Sequence, residues 1–64
     1  MKVSKTKLCI LQSRLGMTGT QVAAKAGLKK QSYYAVKVRG SCATSTAVAI
    51  AAALGVTVED LKED

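Results

Sequence analysis

The stretch Gly16-MTGTQVAAKAGLKKQSYYA-Val36 decides how this chain folds. Thr18 is followed three residues later by Gln21, the spacing of a capping box that opens a helix. Met17 and Val22 stand where a hydrophobic staple closes over such a cap. Val22, Ala23 and Ala26 then mark the buried side of a two-turn helix that ends at Gly27. Gly27 sits between Ala26 and Leu28, where a tight turn needs a left-handed residue. A further helix follows, from Lys29 or Lys30 to Val38, with Leu28, Tyr33 and Val36 facing inward. Lys30, Gln31, Tyr34 and Lys37 then point away. The small residues Ala23 and Ala26 let the two helices approach, and the whole reads as a helix-turn-helix over about residues 18–38.

The flanks carry the same helical punctuation. Leu8, Leu11 and Leu15 form one apolar stripe over about Ser4 to Leu15, stopped by Gly16. Arg39, Gly40 and Ser41 make a polar stop. A fourth helix is expected from about Ser45 to Leu54, capped by Thr44 and apolar nearly all round, which predicts burial on more than one side. A short fifth is expected from Val58 to about Lys62, with Thr57 as its cap and Glu59 and Asp60 at its positive end. There is no Pro, no linker and no repeat, so the 64 residues read as a single all-α domain. With no Trp or Phe, its core must come from Leu, Val, Ile, Ala and Met, and Tyr33 is read as core.

Charge supplies the first functional signal. The net charge is +6, and no Asp or Glu precedes Glu59. Such a field favours nucleic acid through counterion release, although net charge also serves solubility. Lys2 and Lys25 are read as solvated charges. The longest apolar run, from Ala47 to Val56, is about half of the roughly 20 residues a membrane span requires. No secretory signal is evident, and a cytoplasmic location is expected. Cys9 and Cys42 are 33 positions apart (42 minus 9) in a chain without His. That spacing fits no zinc pattern and predicts buried or half-buried free thiols. No cofactor, metal or small-molecule ligand is expected. The chain is not expected to be an enzyme, because it has no His base and no carboxylate outside its tail.

The quoted stretch resembles the Cro/repressor (Xre-like) helix-turn-helix family, which typically reads G-L-T-Q-x-x-L-A-x-K-A-G-V-x-x-x-x-I-x-x-I. The later stretch Thr46-AVAIAAALGVTVED-Leu61 looks like the closing helices of that family, T-L-x-x-L-A-x-A-L-G-V-S-x-x-x-L. The likeness is collinear over about residues 8–61. It implies a compact five-helix, lambda-repressor-like domain that binds double-stranded operator DNA, as a homodimer at least on DNA. A small phage Cro-like regulator of a bacterial cell or phage-infected host would then act by occupying its operator.

The resemblance places base contacts at Lys29, Lys30, Gln31, Tyr34 and Ala35. Lys can donate to guanine, Gln can pair with adenine, and Ala35 can at most touch a thymine methyl. Phosphate contacts are expected from Thr18, Thr20 and Gln21 at the start of the second helix, where free amides suit an anion. Lys37, Arg39 and Ser41 extend that grip beyond the third helix, and Lys5 and Lys7 from the first. The segment Leu54 to Leu61 is the expected dimer contact. Three positions depart from the family. Gly19 replaces the usual phosphate-binding Gln, Lys37-Val38-Arg39 replaces a region that usually holds Glu, and the step from Val36 to Gly40 is one residue longer. The last departure leaves the register of residues 38–44 open. A protein-interaction module on the same scaffold, such as an antitoxin or antirepressor, is the alternative. A membrane-surface peptide is disfavoured, because the chain is cut into short capped helices.

Overall fold

In a computed structural model of the chain, residues 1–63 are described, and Asp64, the last acid of the tail, lies outside the described residues. Four α-helices follow one another: α1 (Lys5–Arg14), α2 (Gly19–Ala26), α3 (Lys30–Arg39) and α4 (Thr44–Leu54). The fold is all-α and compact, with a radius of gyration of 9.9 Å. The expected fifth helix is a single 3-10 turn, Val58–Asp60. A capping box opens it: Asp60 Oδ2 accepts from both the Thr57 N–H and the Thr57 hydroxyl, each at 3.1 Å. The turn ends at Leu61, which is buried in the core.

Local signals set the helix ends. Ser4 Oγ accepts the Lys7 N–H at the start of α1. At α2 the capping box is complete, with Thr18 Oγ1 accepting the Gln21 N–H and Gln21 Oε1 accepting the Thr18 N–H. Gly27 closes α2 at φ 72° and Gly40 closes α3 at φ 69°, both left-handed. α4 begins one residue earlier than the sequence indicates. Ala43 occupies the cap position in extended geometry without a side-chain bond, so Thr44 is already inside the first turn.

The core is built around α2, which packs chiefly against α3 and α4. Val22, Ala23, Tyr33, Ala47, Ile50 and Leu8 are all fully covered. α4 buries one face only, through Ala47, Ile50, Ala51 and Leu54, while Val48 on its far side is half exposed. The apolar character of α4 all round therefore reflects alanine content, not burial on two sides. Leu15 leaves the α1 stripe because the helix ends at Arg14, after which helical phase no longer aims the side chain. Cys42 is half-buried, but Cys9 is exposed on the outer face of α1, contrary to its expected burial. In the segment Leu54 to Leu61, both end leucines are buried within this chain, while Val56 and Val58 between them are half-buried. Among the described residues, no helix is long and apolar enough to cross a membrane.

The N-terminal residues form a strap that the sequence alone did not disclose. The Val3 N–H donates to the Gly40 carbonyl at 2.9 Å, and the Cys42 N–H donates to the Met1 carbonyl at 2.9 Å. On the other side the Ser4 N–H donates to the Leu61 carbonyl at 2.7 Å. The strap thus pairs with the segment after α3 and with the C-terminal turn together, burying Val3 and settling the register of residues 38–44.

Candidate nucleic-acid interface

The outer face of α3 follows from helical phase. Tyr33 and Val36 are buried, so residues about half a turn away must face out. Lys30, Gln31, Tyr34 and Ala35 are accordingly exposed, and Lys29 precedes them at the cap. These four line one shallow depression together with Val38 and Arg39. Val38 is 75% exposed, the highest value among the large apolar side chains. It stands seven residues after Gln31, two helical turns on and on the same side. The sequence marks Val38 as the end of the helix, and its seven-residue spacing from Gln31 is the signal that places it on this face.

Tyr34 joins α3 to the start of α2. A Cβ at Gly19 would stand 2.6 Å from the Tyr34 hydroxyl oxygen and 2.8 Å from Cζ, so the ring lies directly on the glycine backbone. The missing side chain at position 19 therefore makes room for Tyr34. Around this contact Thr18, Thr20 and Gln21 are exposed. The capping box already uses the Thr18 and Gln21 amides, and Gly19 is buried beneath Tyr34, which leaves Thr20 as the exposed residue with an uncommitted amide at the helix start.

Lys37 behaves differently from its neighbours. It is half-buried, with Nζ 3.4 Å from Gln12 Oε1 and 5.8 Å and 5.9 Å from the Tyr33 and Tyr34 ring centroids. Its ammonium is thus folded along the flank of the tyrosine pair instead of projecting outward. The same Gln12 oxygen accepts the Tyr33 hydroxyl at 2.9 Å, tying α3 to α1. Burial pushes the Tyr33 phenol above its ordinary value of 10.0, with smaller contributions from Cys9 and Tyr34. Burial also raises the Cys42 thiol, against the lowering effect of the N-terminal ammonium.

The remaining candidates divide into two places. Lys5, Arg39 and Ser41 line a second depression beside the strap, with Lys2 and Glu63. The Lys5 side chain runs past Gly40, whose Cβ would stand 3.3 Å from Lys5 Cε. Lys7 turns to the C-terminal end, donating to the Lys62 carbonyl at 3.0 Å and lining a depression with Glu59 and Asp60. The structure therefore brings Lys30, Gln31, Tyr34, Ala35 and Arg39 onto one surface with the α2 start beside them, and separates Lys7 from it. Among the described residues, no group of three or more His, Cys, Asp or Glu side chains could hold a metal ion. Comparison with protein-family models, curated proteins and solved structures returned no match.

Proposed function

We propose that the chain binds double-stranded DNA by sequence, as a small Cro/repressor-type (Xre-like) regulator of a bacterial cell or its phage that acts in the cytoplasm by occupying an operator. In this reading α2 and α3 are a helix-turn-helix. Its four α-helices and closing 3-10 turn stand where the family has five helices. The observation that supports it most directly is the exposed face of α3, which carries Lys30, Gln31 and Arg39 without an acid among them. An α-helix bearing such a face fits the major groove, where Gln31 and Lys30 meet base edges. The start of α2, where Thr20 is exposed with its amide uncommitted, suits the adjacent phosphate. Arg39, Ser41 and Lys5 suit the backbone beyond it. A homodimer on DNA would contact half-sites about one helical turn, ~34 Å, apart.

The test is selection of bound duplexes from a random pool, followed by titration of the winner and a scrambled control at two salt concentrations. The reading requires a palindromic winner that stays far ahead of the control at both salts. Weak binding of both duplexes that collapses as salt rises would leave only the non-specific charge effect. That result would favour the protein-partner alternative instead.

A further inference from the structure

The depression on the outer face of α3 has a chemistry that the cationic groups do not account for. Its floor is apolar, formed by Val38, Ala35 and the Tyr34 ring, and its edges are Lys30, Gln31 and Arg39. Val38 has no role in the fold, being 75% exposed on the side of α3 away from Tyr33 and Val36. Tyr34 is fixed in position by its seat on Gly19, so the patch has a defined shape.

A surface of this kind needs a partner that is anionic at its margins and apolar at its centre. The DNA major groove is built that way over thymines. Phosphates form its walls, and the thymine 5-methyl group is the apolar feature on its floor. From Gln31 to Val38 the helix rises about 10 Å, or roughly three base-pair steps of ~3.4 Å. Gln31, Ala35 and Val38 thus present one polar and two apolar contacts along the span of a short run of base pairs. Resting on the DNA-binding reading above, we propose that Ala35 and Val38 read thymine methyl groups, with Val38 as a specificity-determining residue. The half-site then carries thymine opposite the C-terminal half of α3, next to the base pairs met by Lys30 and Gln31. Arg39, at the edge of the patch, faces a phosphate wall.

The test uses the duplex selected from the random pool and copies in which single thymines are replaced by deoxyuridine, which removes the methyl group and nothing else. Such a duplex is unmethylated, so thymine is its only source of a 5-methyl group. Each contacted methyl is expected to be worth about a fourfold change in affinity. Val38→Ala should weaken the thymine duplex by a similar factor and abolish the effect of deoxyuridine at one position, while leaving its effect at other positions. The exposure of Val38 means that this variant should keep the helical circular dichroism and urea midpoint of the parent.

Tight, sequence-specific binding that ignores every thymine-to-deoxyuridine change would overturn the methyl reading and leave DNA binding standing. A deoxyuridine effect of undiminished size at every position in Val38→Ala would overturn the assignment to Val38. Failure to bind any duplex specifically would overturn both readings. Self-association of the free chain that Val38→Ala abolishes would assign the patch to a second copy and overturn the proposal as well.

Discussion

Replacing Gly19 with alanine tests the contact that joins the two helices of the proposed DNA-reading unit. The added Cβ would meet Tyr34 at 2.6–3.0 Å, too close to be tolerated, so the ring must swing away. Tyr34 is 39% exposed, hence roughly three-fifths covered. Full burial of an aromatic side chain is worth up to ~3 kcal/mol, so displacing this ring costs about 1–2 kcal/mol at most. Alanine has a compensating advantage of about 0.5–1 kcal/mol, from better helix propensity and a less flexible unfolded chain. Gly19 is not at positive φ, so no backbone strain opposes the change. The net effect of Gly19→Ala is therefore a loss of between about zero and 1.5 kcal/mol.

In a Tyr34→Ala background the clash is gone and only the advantage remains. There the same substitution should stabilise by about 0.5–1 kcal/mol. Urea unfolding followed by circular dichroism would measure all four proteins. With a slope near ~1 kcal/mol per molar, the coupling of about 1–2 kcal/mol appears as a midpoint difference of ~1–2 M. A reversal of sign between the two backgrounds is the expected result. Equal effects of Gly19→Ala with and without Tyr34, within about 0.3 kcal/mol, would refute the seating of the ring on Gly19.

Other residues give sharp outcomes. Gln31→Ala should change preference at one base pair and cost about 1–3 kcal/mol in binding, read by titrating duplexes that vary at each position. Equal weakening on every sequence would refute the phase of α3. Gly27→Val should lower stability by ~2 kcal/mol, enough to threaten so small a domain. The cause is its left-handed φ of 72°, since nothing lies within 4 Å of the added Cβ. Gln12→Leu leaves the buried Tyr33 hydroxyl without an acceptor and should cost about 1–3 kcal/mol in urea unfolding. Tyr33 also sets an alkaline limit. Because its folded value is raised, the folded state holds the phenolic proton more tightly than the unfolded chain. Stability is then complete below pH 10.0 and is lost as pH rises towards the raised value. In Tyr34→Phe, the remaining tyrosinate absorbance should reach its midpoint above pH 10.0, with the urea midpoint falling over the same range; a titration midpoint at or below pH 10.0 would refute the burial argument.

The exposed face of α3 was legible because helical phase needs only two buried residues to orient it, and Tyr33 and Val36 supplied them. Lys37 was not legible. Its phase puts it on the flank of α3, and only the packing of α1 shows that Gln12 and two aromatic rings hold its ammonium there. The surroundings of Lys7 were not legible for a related reason: its place on α1 gives no indication that the C-terminal turn folds back beside it.

What the sequence determined by itself is local. The capping box at Thr18 and Gln21, the left-handed turns at Gly27 and Gly40, and the buried stripes of α2 and α3 depend on neighbours within four residues, where propensity and phase act directly. The tertiary structure decided whatever depends on residues distant in the chain. Val3 becomes core because its own N–H donates to the Gly40 carbonyl and the next N–H, that of Ser4, donates to the Leu61 carbonyl, partners 37 and 57 residues away (40 minus 3, 61 minus 4). Gly19 looks like a weak helix start until Tyr34, fifteen residues on (34 minus 19), is laid across it. Contacts of that kind form only when separate helices pack, and no short-range pattern encodes them.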